Sequence, residues 1–153
     1  MSDFLAGGTI VQVSTSAPAT FDAAGYGAVG SLNTIGEVDE VQGDIGRLYN
    51  VVTRYPLAGA GRPRKRKGNY NDGNISLPIA VDYSDAGQNA IRTAVASPNA
   101  VTMKITLPTG TIIYCQGLVL GAPVNLGGTE SFAMTNVSIE IDTSPTGVGI
   151  VVV

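Results

Sequence analysis

The sequence predicts a mainly β fold, a small β-sandwich or barrel with one α-helix packed at its side. Glycine, threonine and valine are plentiful while leucine, glutamate and lysine are scarce, and this composition favours strands over helices. Several segments alternate apolar and polar residues with the period of two that is typical of half-buried strands. At 153 residues, the chain is expected to form a single domain over 1–153.

The strands are predicted from this alternation and from runs of β-branched and aromatic residues. Residues 1–20 are interpreted as an N-terminal arm that carries one strand at 9–15, and residues 21–46 as mostly irregular. The further predicted strands cover 47–55, 74–82, 101–107, 111–120 and 132–141. Pro108-Thr109-Gly110 predicts a tight turn between two of them, with Gly110 at positive φ. Residues 143–153 are expected to form a C-terminal tail.

A helix is predicted over about residues 86–96. Asp85 stands at the N-cap position and Gln88 follows three residues later, which is the spacing of a capping box. Ala90, Ile91 and Ala94 then fall on one face at helical spacing. This pattern indicates a helix that packs on the sheet.

Residues 56–73 are predicted to form one long loop, because they lack a hydrophobic period and have glycine or proline at both ends. A loop of this length in a small domain is uncommon and usually functional. The loop contains five of the nine basic residues of the chain, namely Arg62, Arg64, Lys65, Arg66 and Lys67. Four acidic residues lie within a second short stretch, namely Glu37, Asp39, Glu40 and Asp44.

Three interpretations of the basic segment remain open from the residues alone. It is a solvated loop tip, a patch that attracts nucleic-acid phosphates, or a segment that docks on an acidic surface of another copy of the chain. Few aromatic residues accompany the basic ones, since only Tyr55 and Tyr70 flank them, and this favours self-docking over nucleic-acid binding.

The sequence offers no catalytic or cofactor-binding constellation. Histidine is absent, which removes the commonest general base and metal ligand. Cys115 is the only cysteine and lies in an apolar strand, so it is expected to be buried and unreactive. The acidic stretch lacks the spacing of a calcium loop. No enzymatic activity, no cofactor, no metal and no membrane association are therefore expected.

The order of features resembles the major tail tube protein of long, flexible-tailed bacteriophages, and the similar proteins of prophages and gene transfer agents. The resemblance covers residues 15–145, and its most specific part is the Asp85-Ala86-Gly87-Gln88 helix start followed by Leu107-Pro108-Thr109-Gly110. The other matching segments are Thr20-Phe21-Asp22, Ile35-Gly36-Glu37-Val38, a strand over 49–57, Lys67-Gly68-Asn69-Tyr70 and Gln116-Gly117-Leu118-Val119.

This resemblance implies a structural virion protein without an appended immunoglobulin-like domain. Its copies would form hexameric rings that stack into a tube, and this tube would conduct DNA from the capsid to the host without binding it specifically. The implied partners are the chain itself, a tape-measure protein, and tail tip and tail terminator proteins. The implied locations are the virion tail and, during assembly, the host cytoplasm. The alternative is a DNA-binding β-domain that uses residues 62–67.

The resemblance also assigns roles to surface residues. The loop 56–73 becomes an arm that stacks one ring on the next, and the acidic stretch becomes its counter-surface. The polar faces of the strands become candidates for the lumen of the tube, namely Asn74, Ser76, Asp82, Glu140 and Asp142. Lys104 would place a positive charge in the lumen if its side chain lies on the same face.

Overall fold

The computed structural model describes residues 3–153 and confirms the mainly β fold. The strands are β1 (Ile10–Ser14), β2 (Asn33–Thr34), β3 (Gln42–Arg54), β4 (Arg64–Ala80), β5 (Val101–Thr106), β6 (Ile112–Gly121), β7 (Val124–Asn125), β8 (Met134–Asp142) and β9 (Ile150–Val152). The helices are α1 (Ala23–Gly27) and α2 (Ala86–Val95), with a 3-10 turn at Leu57–Gly59. The described strands form one antiparallel sheet in the order β2-β1-β5-β6-β8-β4-β3, with β7 beside β8 and β9 beside β6.

The predicted helix is confirmed as α2. The Asp85 carboxylate accepts a hydrogen bond from the Gln88 backbone N–H at 2.9 Å and a second from the Gly36 N–H at 3.1 Å. The buried Gln88 side chain donates to the carbonyl oxygens of Gly36 and Ala80, both at 3.0 Å. The capping residues therefore fix the start of the helix and also attach it to two neighbouring segments.

The core lies between one face of the sheet and α2. Alternate residues of β1, β5, β6, β8 and the second half of β4 point into it, as the period of two predicts. Leu77, Ile79 and Ile91 are each at most 1% exposed. The other core residues with almost no exposed area are Val13, Met103, Cys115, Val137 and Ile139.

The N-terminal segment was predicted to be an arm, but its strand is part of the sheet and of the core. Val11 and Val13 of β1 are 3% and 0% exposed, and β1 pairs with β5 along its whole length. Its valines alternate with polar residues, so one face of this short strand completes the core. Residues 1 and 2 of the predicted arm lie outside the described residues.

The C-terminal segment is also not a free tail. β8 pairs with the second half of β6 as far as Asp142, opposite Gln116. β9 then pairs with the same edge of β6, further along the strand, with Ile150 opposite Cys115 and Val152 opposite Ile113. Residues 143–149 loop out between the two strands, and the final apolar residues satisfy an edge that would otherwise be unpaired.

A short helix, α1, lies where irregular structure is predicted. The Asp22 carboxylate accepts a hydrogen bond from the Gly25 N–H at 2.7 Å, and this hydrogen bond holds the pKa of Asp22 below its ordinary value. Tyr26 of α1 is 1% exposed and stacks on Tyr114 with ring centroids 5.2 Å apart. α1 thereby covers part of the sheet face opposite the core.

Candidate functional site: a basic arm and an acidic end

The predicted loop over 56–73 is wrong in its extent. β3 and β4 form a long antiparallel hairpin, and Arg64–Lys67 belong to β4, paired with residues 51–54 of β3. The connection between the strands covers only 55–63. The segment lacks a hydrophobic period because both faces of this part of the hairpin are exposed, so no face had to be apolar. We call residues 46–71 the basic arm.

The base of the basic arm is held by a buried carboxylate. Asp72 is 2% exposed and accepts a hydrogen bond from Arg47 Nε at 2.8 Å and another from the Thr143 hydroxyl. Arg47 Nη2 also donates to the Gly147 carbonyl oxygen at 2.7 Å. Burial raises the pKa of Asp72, but the hydrogen bonds from Arg47 and Thr143 and the charge of Arg47 outweigh it and lower the pKa below its ordinary value.

Two irregularities in the strand pairing mark where the basic arm leaves the body of the domain. The register between β3 and β4 shifts between Ile45 and Leu48 and again between Tyr49 and Val51. Gly73, at φ 115°, lies beside the first shift, where a Cβ atom would overlap the Asp44 carbonyl oxygen. β-bulges increase twist and redirect a strand, so these residues set the direction in which the arm projects.

The two faces of the basic arm carry different side chains. Directly paired residues share a face, so one face presents Tyr49, Tyr70, Val51, Lys67, Thr53 and Lys65, and the other presents Val52, Arg66, Arg54 and Arg64. Lys67 Nζ lies 4.8 Å from the centroid of the Tyr49 ring. Val51 and Val52, one on each face, are 67% and 58% exposed. An arm with apolar side chains exposed on both faces is suited to burial against other molecules.

The tip of the basic arm presents an apolar side chain on a short turn. Gly59 N–H donates to the Pro56 carbonyl oxygen at 3.0 Å, and Ala60 has a left-handed backbone at φ 49°. This turn holds Leu57 fully exposed, and Tyr55 beside it is 68% exposed.

Three of the four predicted counter-surface acids lie together at the far end of β4. The Glu37 carbonyl oxygen accepts from the Ala80 N–H, and the Asp39 N–H donates to the Pro78 carbonyl oxygen, both at 3.0 Å. Glu40 follows directly in the chain. Asp44 does not join them, because it pairs with Asn74 near the base of the arm. We call Glu37, Asp39 and Glu40 the acidic end.

The basic arm and the acidic end lie at opposite ends of one strand. β4 has 17 residues, from Arg64 within the arm to Ala80 beside Glu37. At about 3.3 Å per residue, a strand of this length spans roughly 50 Å. Within residues 3–153, the ion pair between Arg47 and Asp72 is the only salt bridge. The charges at both ends are therefore unpaired in the described part of the chain.

An apolar groove of about 580 Å³ lies beside the acidic end. Val38, Val41 and Ile45 line one side, and β1, β5 and β6 line the other through residues such as Val11 and Ile113. The segment before β1 completes the lining with Phe4, Ala6, Gly7, Gly8 and Thr9. β3 is distant from these strands in the sheet order, so the sheet must curve for the two sides to approach each other. Asp39 and Glu40 also line this groove and give it an acidic rim.

Four of the five candidate lumen residues share the sheet face opposite the core. Asn74 pairs with Glu140, Ser76 pairs with Ser138, and Asp142 pairs with Gln116. Asp82 lies beyond the end of β4, where its carboxylate accepts hydrogen bonds from Ser84, so it is not part of this face.

Lys104 lies on the same face as these residues. It pairs with Tyr114, and the alternation along β6 places Tyr114 on the side of Gln116 and Asp142. Lys104 Nζ is 5.9 Å from the centroid of the Tyr114 ring, near the area that α1 covers. The face is therefore acidic at β8 and carries one positive charge at β5.

Reactive groups are few in the described part of the chain. Cys115 is fully buried, and burial raises the pKa of its thiol to about 12. Residues 3–153 contain no cluster of three or more acidic or cysteine side chains placed to hold a metal ion. None of the helices described is both long and apolar enough to cross a membrane.

The fold is that of proteins in phage-tail-like particles, which confirms the predicted resemblance at the level of the fold. The chain is similar to one in the anti-feeding prophage baseplate, with a TM-score of 0.65, 10% identity and 92% of each chain covered. It is also similar to a chain in the sheath/tube terminator structure of an extracellular contractile injection system, with a TM-score of 0.62, 13% identity, and coverage of 93% of this chain and 94% of that one.

A third similar chain belongs to the tail of an empty gene transfer agent particle with C6 symmetry, at a TM-score of 0.58 and 14% identity, with 85% of this chain and 87% of that one covered. No protein-family model matches the sequence, and the search of curated proteins finds no match.

Proposed function

We propose that the protein is a structural, non-catalytic subunit of a tail tube, in which hexameric rings stack head to tail. The observation that carries this proposal is the placement of the basic arm and the acidic end at opposite ends of β4. Two different surfaces at opposite ends of one subunit make a heterologous contact, and repetition of such a contact builds an open polymer rather than a closed dimer.

In this contact, the basic arm is the surface that projects from one subunit to reach the next. Its charges and its apolar side chains are exposed on both faces, so only another molecule can bury them, and in this proposal that molecule is another copy of the chain. Arg62, Arg64, Lys65, Arg66 and Lys67 serve as the stacking charges, and Glu37, Asp39 and Glu40 as their counter-surface. Asp44 lies instead on the sheet face opposite the core, beside Asn74.

The part of the sheet face opposite the core that α1 leaves uncovered serves as the lumen in this proposal. Glu140, Asp142 and Asp44 make it acidic at β8 and β3, and an acidic surface repels the phosphates of DNA in transit. Lys104 is the exception on this face, and it lies on β5, which β6 separates from the acidic residues of β8. The tube would conduct DNA from the capsid to the host in a virion tail, with a tape-measure protein inside and tip and terminator proteins at its ends. Its subunits would assemble in the host cytoplasm.

A second candidate function is DNA binding by the basic arm. The pairing places Arg54, Arg64 and Arg66 together on one face of a two-stranded ribbon, and such a ribbon fits the major groove of DNA. The acidic remainder of the chain opposes this function.

Sedimentation velocity over a rising protein concentration tests the proposal. A tube subunit forms rings and long particles above a threshold concentration, whereas a DNA-binding domain remains small and retains duplex DNA in a salt-dependent manner. Protein that stays monomeric at every concentration while it binds DNA at low salt refutes the proposal in favour of the second candidate.

A further inference from the structure

We infer that the apolar groove beside the acidic end is the socket for the tip of the basic arm of a neighbouring copy, with Leu57 as the inserted side chain. This inference rests on the proposed function and specifies which atoms make the contact between rings. It commits to one occupant, the 55–63 connection of a second copy of this chain.

The groove has the shape and chemistry of a socket. Its volume of about 580 Å³ is in the range of pockets that enclose small ligands, so it holds more than one large side chain. Val38, Val41 and Leu107 make its lining apolar, and all three are only partly buried by the chain itself. Burial of this lining would stabilise a complex through the hydrophobic effect.

The tip has the matching chemistry. Leu57 is fully exposed on the 3-10 turn, and Tyr55 lies beside it with 68% of its area exposed. Burial of these two side chains against an apolar surface of a partner would remove their apolar area from water, which is favourable. The turn also fixes the backbone, so little conformational entropy is lost on docking.

Charge complementarity selects the groove over other apolar patches. Basic side chains flank the tip on both sides, namely Arg54, Arg62 and Arg64, and acidic side chains form the rim of the groove, namely Asp39 and Glu40. An apolar centre with a charged rim is the usual anatomy of a specific interface. The exposed apolar residues around Phe132 lack such a dense acidic rim, since Glu130 is the one acid within the 121–133 segment.

A tip cannot occupy the groove of its own chain. β3 separates them, since it runs for 13 residues from Gln42 to Arg54, while Val41 lies in the groove and Leu57 lies just beyond the other end. An extended strand of this length spans about 40 Å. Any contact between Leu57 and Val41 is therefore a contact between two copies.

Cysteine cross-linking tests the inference. A Leu57→Cys, Val41→Cys double variant, treated with a short bis-maleimide under assembly conditions, is expected to give a ladder of covalent oligomers on a denaturing gel. Cys115 does not interfere, because it is fully buried and its thiol pKa is raised to about 12. The matched control pairs Leu57→Cys with Ser138→Cys, an exposed residue on the opposite sheet face, and is expected to remain uncross-linked.

A second variant covers the case in which Val41→Cys prevents folding. Leu57→Asp changes only an exposed side chain, so the monomer folds, and the threshold concentration for assembly is expected to rise roughly ten- to a hundredfold, the effect of losing one buried leucine. Leu57→Met is expected to assemble normally.

The outcomes separate the inference from the proposed function. Tubes that form without the Leu57–Val41 cross-link, or that form equally well with Leu57→Asp, overturn the socket but leave the tube intact. Wild-type protein that never assembles overturns the proposed function itself.

Discussion

Reversal of charge on the basic arm is expected to raise the threshold concentration for assembly strongly without unfolding the subunit. The double variant Lys65→Glu, Arg66→Glu places one negative charge on each face of the arm, because neighbouring residues of a strand point to opposite sides. Both side chains are exposed, and neither takes part in a salt bridge within residues 3–153. The free energy of unfolding of the monomer should therefore change by no more than about 0.5 kcal/mol.

The effect on assembly is larger, because two attractions become two repulsions. An exposed ion pair contributes up to about 1 kcal/mol, so the reversal costs roughly 2–4 kcal/mol for each arm that docks. Because about 1.4 kcal/mol corresponds to a factor of ten, the threshold concentration for assembly should rise by roughly thirty- to a thousandfold. This loss should shrink at high salt, where the Debye length falls to about 3 Å.

A compensating variant makes this prediction specific. Asp39→Lys with Glu40→Lys should raise the threshold concentration when made alone, and assembly should be restored when both pairs of substitutions are combined in one chain. Lys65→Arg, Arg66→Lys keeps the charges and serves as the control. Light scattering against protein concentration measures all of these variants. If the combined variant assembles no better than the arm variant alone, the basic arm does not dock on the acidic end.

Three further predictions concern the elements that hold this geometry. Asp72→Asn should lower the free energy of unfolding by about 2 kcal/mol in urea titrations, because it leaves Arg47 without its buried partner. Since the pKa of Asp72 is lowered in the folded state, the stability that this carboxylate contributes is present above about pH 4 and is lost as the pH falls further. The stabilities of wild type and variant should therefore converge at low pH. Gly149→Ala should be strongly destabilising in thermal unfolding, because its Cβ would overlap the Asp72 carboxylate, whereas Gly27→Ala, with no atom nearby, should be neutral or stabilising. Asp85→Ala should cost about 1–2 kcal/mol and reduce helical circular dichroism, since it removes the cap of α2, while Asp85→Asn should keep most of the stability.

The parts of the fold that the sequence predicted well are those with a strong local signal. Asp85 and Gln88 marked the start of α2, and the alternation of Ile75, Leu77 and Ile79 marked the buried half of β4. In each case one side of the element packs on the core, so the pattern of apolar residues records the structure directly.

The basic arm was mispredicted as a loop because its structure depends on a partner strand and not on its own pattern. Residues 64–71 are held as a strand by hydrogen bonds to β3, while both faces remain exposed. A strand that is exposed on both faces has no alternation of apolar and polar residues by which the sequence could reveal it. The same reasoning applies to β9, which is defined by the free edge of β6.

The sequence identified most residues of the candidate site, but it did not predict where they lie in the fold. The basic and acidic groups were both identified from their local charge density. The sequence could not show that Asp44 lies apart from the acidic end, or that Asp82 lies beyond β4 and off the sheet face opposite the core. The apolar groove was not predicted at all, because its walls come from strands that are distant in the chain and meet only through the curvature of the sheet.

An electron cryo-microscopy reconstruction of assembled wild-type protein would show directly whether rings stack through the basic arm. Stacked rings of six subunits are expected, in which the basic arm of each subunit contacts Asp39 and Glu40 of a subunit in the next ring. Ordered assemblies in which the basic arms contact only their own ring, or project freely into solvent, would contradict this expectation.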